Sequence, residues 1–222
     1  RTIVIMTDFT EEWIRQKQFK LAVENEVQHQ PETNLDKQII DRQLPGFIQS
    51  IYPDKKDVNI MDIGCNEGYA MSKFKELGYE NIQGITVKKE EWDICKEKGL
   101  NVHHMNYNFS KMMDGFFQVI WMRQSIQFSP MPFFTLLELN RILKMNGWAY
   151  IEFPDISNAN RFYGTLSKEN YKIFILRSGF EIIQEDTMEI SAGDAKENHH
   201  FFIVSKRRNV KLPEIDSDSS AT

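Results

Sequence analysis

Cysteine is scarce in this chain: two in 222 residues, Cys65 and Cys95. That excludes a disulfide framework, and neither thiol stands at a metal-ligand spacing, so no metal is expected. Long apolar stretches are missing as well. None reaches the length that spans a bilayer, and no charged-then-apolar leader pattern follows Arg1, so membrane insertion is not expected. Positive charge is not in excess, since 27 Lys and Arg face 32 Asp and Glu for a formal net charge of −5. The basic cluster Lys206-Arg207-Arg208 follows the last apolar run and reads as a solvated strand end. No nucleic-acid partner is expected. Thiols placed in a loop and a helix suit a reducing compartment, so the expected location is cytoplasmic.

What is present is enough chain for one α/β domain with an added element. Residues up to about 50 carry helical patterns. Trp13, Ile14, Lys17 and Leu21 suggest one helix, and Ile39, Ile40, Leu44, Phe47 and Ile48 a second, punctuated by Pro31 and Pro45. From Val58 the pattern alternates. Strands are expected near 58–62, 81–86, 101–105, 117–122 and 147–153, with helices near 68–77, 89–98, 132–144 and 167–178. Such alternation implies a parallel sheet covered on both faces. Two further strands, near 180–190 and 199–205, have no helix between them and suit an antiparallel hairpin. The expected division is an N-terminal helical cap (1–50), a central domain (51–206) and a disordered acidic tail (207–222).

The chemistry is concentrated in Asn59-Ile60-Met61-Asp62-Ile63-Gly64-Cys65-Asn66-Glu67-Gly68. An apolar run ends in an acid, breaks into a glycine-bracketed loop and continues as a helix with Met71, Phe74 and Leu77 at helical spacing. This arrangement offers backbone N–H groups and a helix N-terminus to a ligand. A dinucleotide loop needs G-x-G-x-x-G, which is not the spacing here, so a nicotinamide dehydrogenase is disfavoured.

The loop resembles the G-x-G-x-G frame of class I S-adenosylmethionine-dependent methyltransferases, with Asn66 in place of the middle glycine. Further motifs follow in the family's order: Leu77-Gly78-Tyr79 with Ile82-Gln83-Gly84-Ile85, then Arg141-Ile142-Leu143-Lys144-Met145-Asn146-Gly147, Glu152-Phe153-Pro154 and Ser178-Gly179-Phe180. The resemblance, to the type 11-like small-molecule branch, covers most of residues 50–205. It implies a Rossmann-like doubly wound sheet of seven strands, order 3-2-1-4-5-7-6 with strand seven antiparallel, and S-adenosyl-L-methionine as cofactor.

By the same resemblance, Asp62, Gly64, Cys65, Asn66 and Gly68 would hold the methionine end. Thr86 and Val87 close strand two, where the family usually has a ribose-binding acid, and Glu91 would supply that carboxylate unless it is a solvated helix residue. Asn106 would accept from the adenine amine, and Tyr107 or Met105 would flank the ring or simply pack. Arg123, Gln124 and Ser125 would contact the cofactor beyond strand four. Gln124, Gln127 and Phe128 stand where many relatives have His, Glu and His, so no catalytic base is assigned. Trp13, Phe19, Arg123–Phe128 and Asp155–Tyr163, with Arg161 and Tyr163, are candidates for the acceptor side. The pairs His103-His104 and His199-His200 read mainly as strand residues, although one of them is the best available base. The expected activity is methyl transfer to a small molecule or a glycan or lipid intermediate, by a monomer or homodimer. The alternative is a non-catalytic cofactor-binding module.

Overall fold

A computed structural model describes residues 16–17, 20–21, 32–156, 164–192 and 195–210. The first complete helix, α1 (Asn34–Ile51), begins at a capping box. The Thr33 hydroxyl accepts from Asp36 N–H at 3.1 Å while the Asp36 carboxylate accepts from Thr33 N–H at 3.0 Å, so two otherwise orphaned donors are satisfied. Pro45 lies inside this helix rather than ending it. Leu44, Phe47 and Ile48 are buried on either side of the proline. Tertiary packing thus outweighs the lost N–H bond.

The chain then alternates: β1 (Ile60–Ile63), α2 (Tyr69–Glu76), β2 (Ile82–Thr86), α3 (Lys89–Glu97), β3 (Val102–His104), β4 (Phe117–Arg123), α4 (Pro132–Ile142), β5 (Leu143–Pro154), α5 (Lys168–Arg177), β6 (Phe180–Ala192) and β7 (Ala195–Lys206). Two 3-10 turns that periodicity did not signal, Tyr107–Phe109 and Ile126–Phe128, flank β4. The sheet order is β3-β2-β1-β4-β5-β7-β6, as the resemblance implies, with β7 antiparallel to both of its neighbours. β5 starts at Leu143, directly from α4, several residues earlier than the expected 147.

Successive strand residues serve opposite faces. Ile60, Val119, Trp121 and Tyr150 pack with α1, α2 and Cys95 of α3. Met61, Ile63, Ile120, Met122 and Ile151 pack with α4 and α5. In the expected cap, the described helix α1 is one wall of the first core: Phe47 lies 5.9 Å from the Trp121 ring and 5.6 Å from Tyr150, and those two rings stack at 4.2 Å. The acidic tail beyond Val210 lies outside the described residues.

Candidate functional site

The carboxyl ends of β1, β2 and β4 converge on the glycine loop. Gly64 and Gly68 take φ of +74° and +82°, and Asn66 takes +46°, a left-handed conformation that asparagine tolerates better than most side chains. The loop is tied to the sheet by Gly64 and Cys65 N–H groups, which both donate to the Ile85 carbonyl at 2.9 and 3.0 Å. It is tied to α3 by the Asn66 carbonyl, which accepts from Cys95 Sγ at 3.2 Å and Cys65 Sγ at 3.8 Å. A Cβ on Gly64 would stand 2.1 Å from Ser125 Oγ, so the loop passes directly against the end of β4.

Asp62 is buried, and its Oδ2 has no hydrogen-bond partner. Burial, reinforced by Glu32 nearby, pushes its carboxyl well above the usual range. Glu32, just before α1, is a second acid of this kind and was missed in the sequence. Its Oε2 is buried without a partner, and burial pushes its pKa up to about 7, although Arg123 and Lys37 pull it down. No motif marks Glu32, because only the fold brings it to Asp62.

Glu91 is not solvated: its carboxylate is buried and accepts from Thr86 Oγ1 at 2.7 Å, with Lys88 Nζ at 3.3 Å from its other oxygen. Val87 is buried at the same strand end, and its carbonyl faces His104 Nε2 at 2.9 Å. Asn106 differs from expectation in its chemistry. Its Oδ1 accepts from Asn108 N–H at 2.9 Å to cap the 3-10 turn, so the buried atom left unpartnered is Nδ2, a donor. Tyr107 is buried, and its hydroxyl donates to the Ser125 carbonyl at 3.0 Å, joining the ends of β3 and β4.

Arg123 and Gln124 are expected from the sequence among the cofactor contacts, but the structure commits their side chains elsewhere. The Arg123 guanidinium makes two 3.0 Å bonds to Asp36 of α1 and an ion pair at 3.1 Å with Glu152 of β5. A buried guanidinium must be matched by carboxylates, and Asp36 and Glu152 form its ion pairs. Gln124, at φ +51°, turns toward β5 and β7: its Nε2 lies 3.2 Å from Glu152 Oε1 and 2.9 Å from His199 Nδ1, and its Oε1 accepts from Gln127 at 3.0 Å. Only Ser125 of the three faces the loop.

On the acceptor side, Trp13, Phe19, Arg161 and Tyr163 lie outside the described residues. Asp155 pairs with His200 Nε2 at 2.9 Å, whose Nδ1 meets Thr187 Oγ1 at 2.9 Å. His103 pairs with Gln83 on β2 at 2.9 Å, away from the loop. Among the described residues no cluster of His, Cys, Asp and Glu forms a metal site.

Residues 61–151 match the methyltransferase-domain family. No curated protein matches the sequence. Solved structures do. A SAM-dependent methyltransferase from Archaeoglobus fulgidus superposes with a TM-score of 0.62 at 15% identity, over 77% of this chain and 94% of that one. A second, from Methanosarcina mazei, gives 0.58 at 16% identity, over 69% and 94%. The [4+2]-cyclase SpnF gives 0.62 at 15% identity, over 89% and 97%. At these identities the structures establish the fold alone, and SpnF carries a different activity on it.

Proposed function

We propose, on the premise that residues 61–151 are a class I S-adenosylmethionine-dependent methyltransferase domain, that this chain transfers a methyl group to a small molecule or to a glycan or lipid intermediate. The observation that carries the reading is the pair of unpartnered buried oxygens, Asp62 Oδ2 and Glu32 Oε2, at the glycine loop. Buried carboxyl oxygens without a hydrogen-bond partner are costly, and a ligand bearing positive charge and N–H donors relieves that cost. S-adenosylmethionine fits this requirement, because it brings an α-ammonium and an electrophilic methyl on a positively charged sulfur.

The remaining residues divide the ligand between them. The backbone of Gly64, Cys65, Asn66 and Gly68 takes the methionine end, where side chains would obstruct. Ser125 closes the loop from the β4 side. Glu91, held by Thr86, presents a carboxylate beside the end of β2 that accepts from ribose hydroxyls, and Val87 completes that wall. Asn106 Nδ2 donates to an adenine ring nitrogen, and Tyr107 braces the pocket through Ser125. Alignment of nucleophile and methyl within such a cradle contributes about 7–11 kcal/mol to the lowering of the barrier.

Arg123 and Gln124 being spent on internal contacts favours a second reading, a cofactor-binding module without turnover. A screen with radiolabelled cofactor against alcohols, amines, acids, sugars and lipid intermediates separates the two. Label transfer to one acceptor class supports the methyltransferase. Tight cofactor binding with no transfer to any acceptor, host extracts included, replaces it with the module.

A further inference from the structure

Beyond the cofactor loop, the carboxyl ends of β4 and β5 meet the start of β7 in a buried polar cluster that the cofactor residues above do not use. Glu152 is entirely buried. Its Oε1 lies 3.1 Å from His199 Nδ1, 3.2 Å from Gln124 Nε2 and 3.1 Å from Arg123 Nε, and its Oε2 accepts from the Tyr150 hydroxyl at 2.9 Å. Three hydrogen-bonding side chains and an ion pair on one carboxylate are more than a strand-to-strand tie requires. Burial opposes its ionisation, but Arg123, then His199 and Tyr150, hold its pKa below the usual carboxylate range, so Glu152 is an anion. An anionic carboxylate only accepts. The nitrogen facing it, Nδ1, therefore carries the proton, and the Gln124 amide N–H turns to the carboxylate as well. In the neutral ring Nε2 then keeps its lone pair, and it lies 3.7 Å from Glu197, a half-exposed residue.

This tautomer and this orientation are those of a base held by a buried acid. The ring sits beside Gln124, directly after β4, next to the residue that closes the glycine loop. In antiparallel register His199 pairs with Pro154, the last residue of β5, so it stands at the carboxyl end of the sheet. We infer that His199 is the general base of this site, with Glu152 as its positioning residue, and that the acceptor is a neutral hydroxyl or similar group that must lose a proton to become a competent nucleophile. The inference rests on the methyltransferase reading. In the step, His199 Nε2 takes the hydroxyl proton as the oxygen's electron pair forms the bond to the methyl carbon. The carbon–sulfur bond of the sulfonium breaks with its pair remaining on sulfur. A methyl ether, a neutral thioether and an imidazolium result, and the imidazolium returns its proton to solvent. Glu152 and Glu197, on either side of the ring, stabilise the imidazolium while it exists. Among the described residues, the other charged or titratable neighbours are Arg123 of β4 with Asp36 of α1 behind it, and Tyr150 of β5. From β6 the residue opposite is Met188.

The test uses the full chain. His199→Gln is expected to lower kcat for a hydroxyl acceptor about 100-fold while cofactor affinity by calorimetry stays unchanged. The same variant loses less than threefold on an acceptor already ionised at the assay pH, such as an acidic phenol. The limb of the pH–rate profile that reports the imidazole disappears. Nitrogen-15 NMR of the parent should show His199 as the Nδ1–H tautomer, and Glu152→Gln should shift it toward Nε2–H. An Nε2–H tautomer in the parent overturns the inference, as do equal losses on ionised and neutral acceptors. Full activity of His199→Gln overturns it while leaving the methyltransferase intact. Absence of transfer by the parent itself overturns both.

Discussion

Titrating Glu32 gives the sharpest test of the cofactor site. In the ligand-free fold its carboxyl is pushed up from 4.5 to about 7, first by burial and then by Asp36 and Glu67, against the pull of Arg123 and Lys37. The sign follows from linkage. A raised folded-state pKa contributes stability that is full below about 4.5 and is lost as pH rises through about 7. The whole interval corresponds to about 3 kcal/mol, and to about 2 kcal/mol after allowance for the solvent that still reaches this residue. A cationic ligand reverses the preference, because the ionised carboxylate then has a partner. Cofactor affinity should therefore rise about 10- to 100-fold between pH 5 and pH 7.5, and binding at pH 6 should release close to one proton. Calorimetry in buffers of different ionisation enthalpy reads the released proton directly. Glu32→Gln should lessen the pH dependence, lower the proton release by close to one and weaken binding at pH 7.5 by about 1–3 kcal/mol. Affinity independent of pH in the parent, or the same slope in parent and variant, would show that no cation binds beside Glu32.

Three further perturbations probe the loop, the proposed ribose wall and the core. Gly64→Ala should abolish cofactor binding and destabilise the fold by about 1–2 kcal/mol, since the residue holds φ +74° and its new Cβ would crowd Ser125 Oγ. Adding Ser125→Gly relieves the crowding but not the backbone strain, so a denaturant titration should show partial recovery and no more. Glu91→Ala should weaken cofactor binding by about 1–3 kcal/mol, and a 2′-deoxy analogue should lose less affinity against this variant than against the parent. Equal losses would remove Glu91 from the ribose wall. Phe47→Ala should cost about 3–5 kcal/mol in one cooperative unfolding transition, because Phe47 packs on Trp121 and Tyr150 in the main core. A separate early transition for α1 would mean that the helix is a detachable cap.

Local and periodic features were legible in the sequence. The β1–loop–α2 unit could be read because its apolar run, its two glycines and its helical stripe lie within 20 residues, and the positive φ at Gly64, Asn66 and Gly68 follows from residue types that permit it. The sheet order followed from the family's motif order, and alternation set which strand residues face which helices. Glu91 lay in between. Sequence placed it five residues after Thr86 but left two fates open, and burial of the carboxylate against the Thr86 hydroxyl removed the solvated one, leaving the ribose contact as a proposal.

Tertiary structure decided the electrostatics. Glu32 and Asp62, 30 positions apart in sequence, become neighbours only when α1 folds against the sheet, so no spacing could announce their shared burial. Arg123 looked like a ligand contact because it ends β4, yet the register of β5 and the first turn of α1 deliver Glu152 and Asp36 to it first. His199 read as a strand residue for the same reason: its partner Glu152 is 47 positions away and reaches it through antiparallel pairing of β5 with β7. Backbone conformation and strand patterning are set by residues close along the chain, which is why sequence alone determined them here. Which charge meets which depends on contacts between distant strands and on how far water is excluded, and those are properties of the packed sheet.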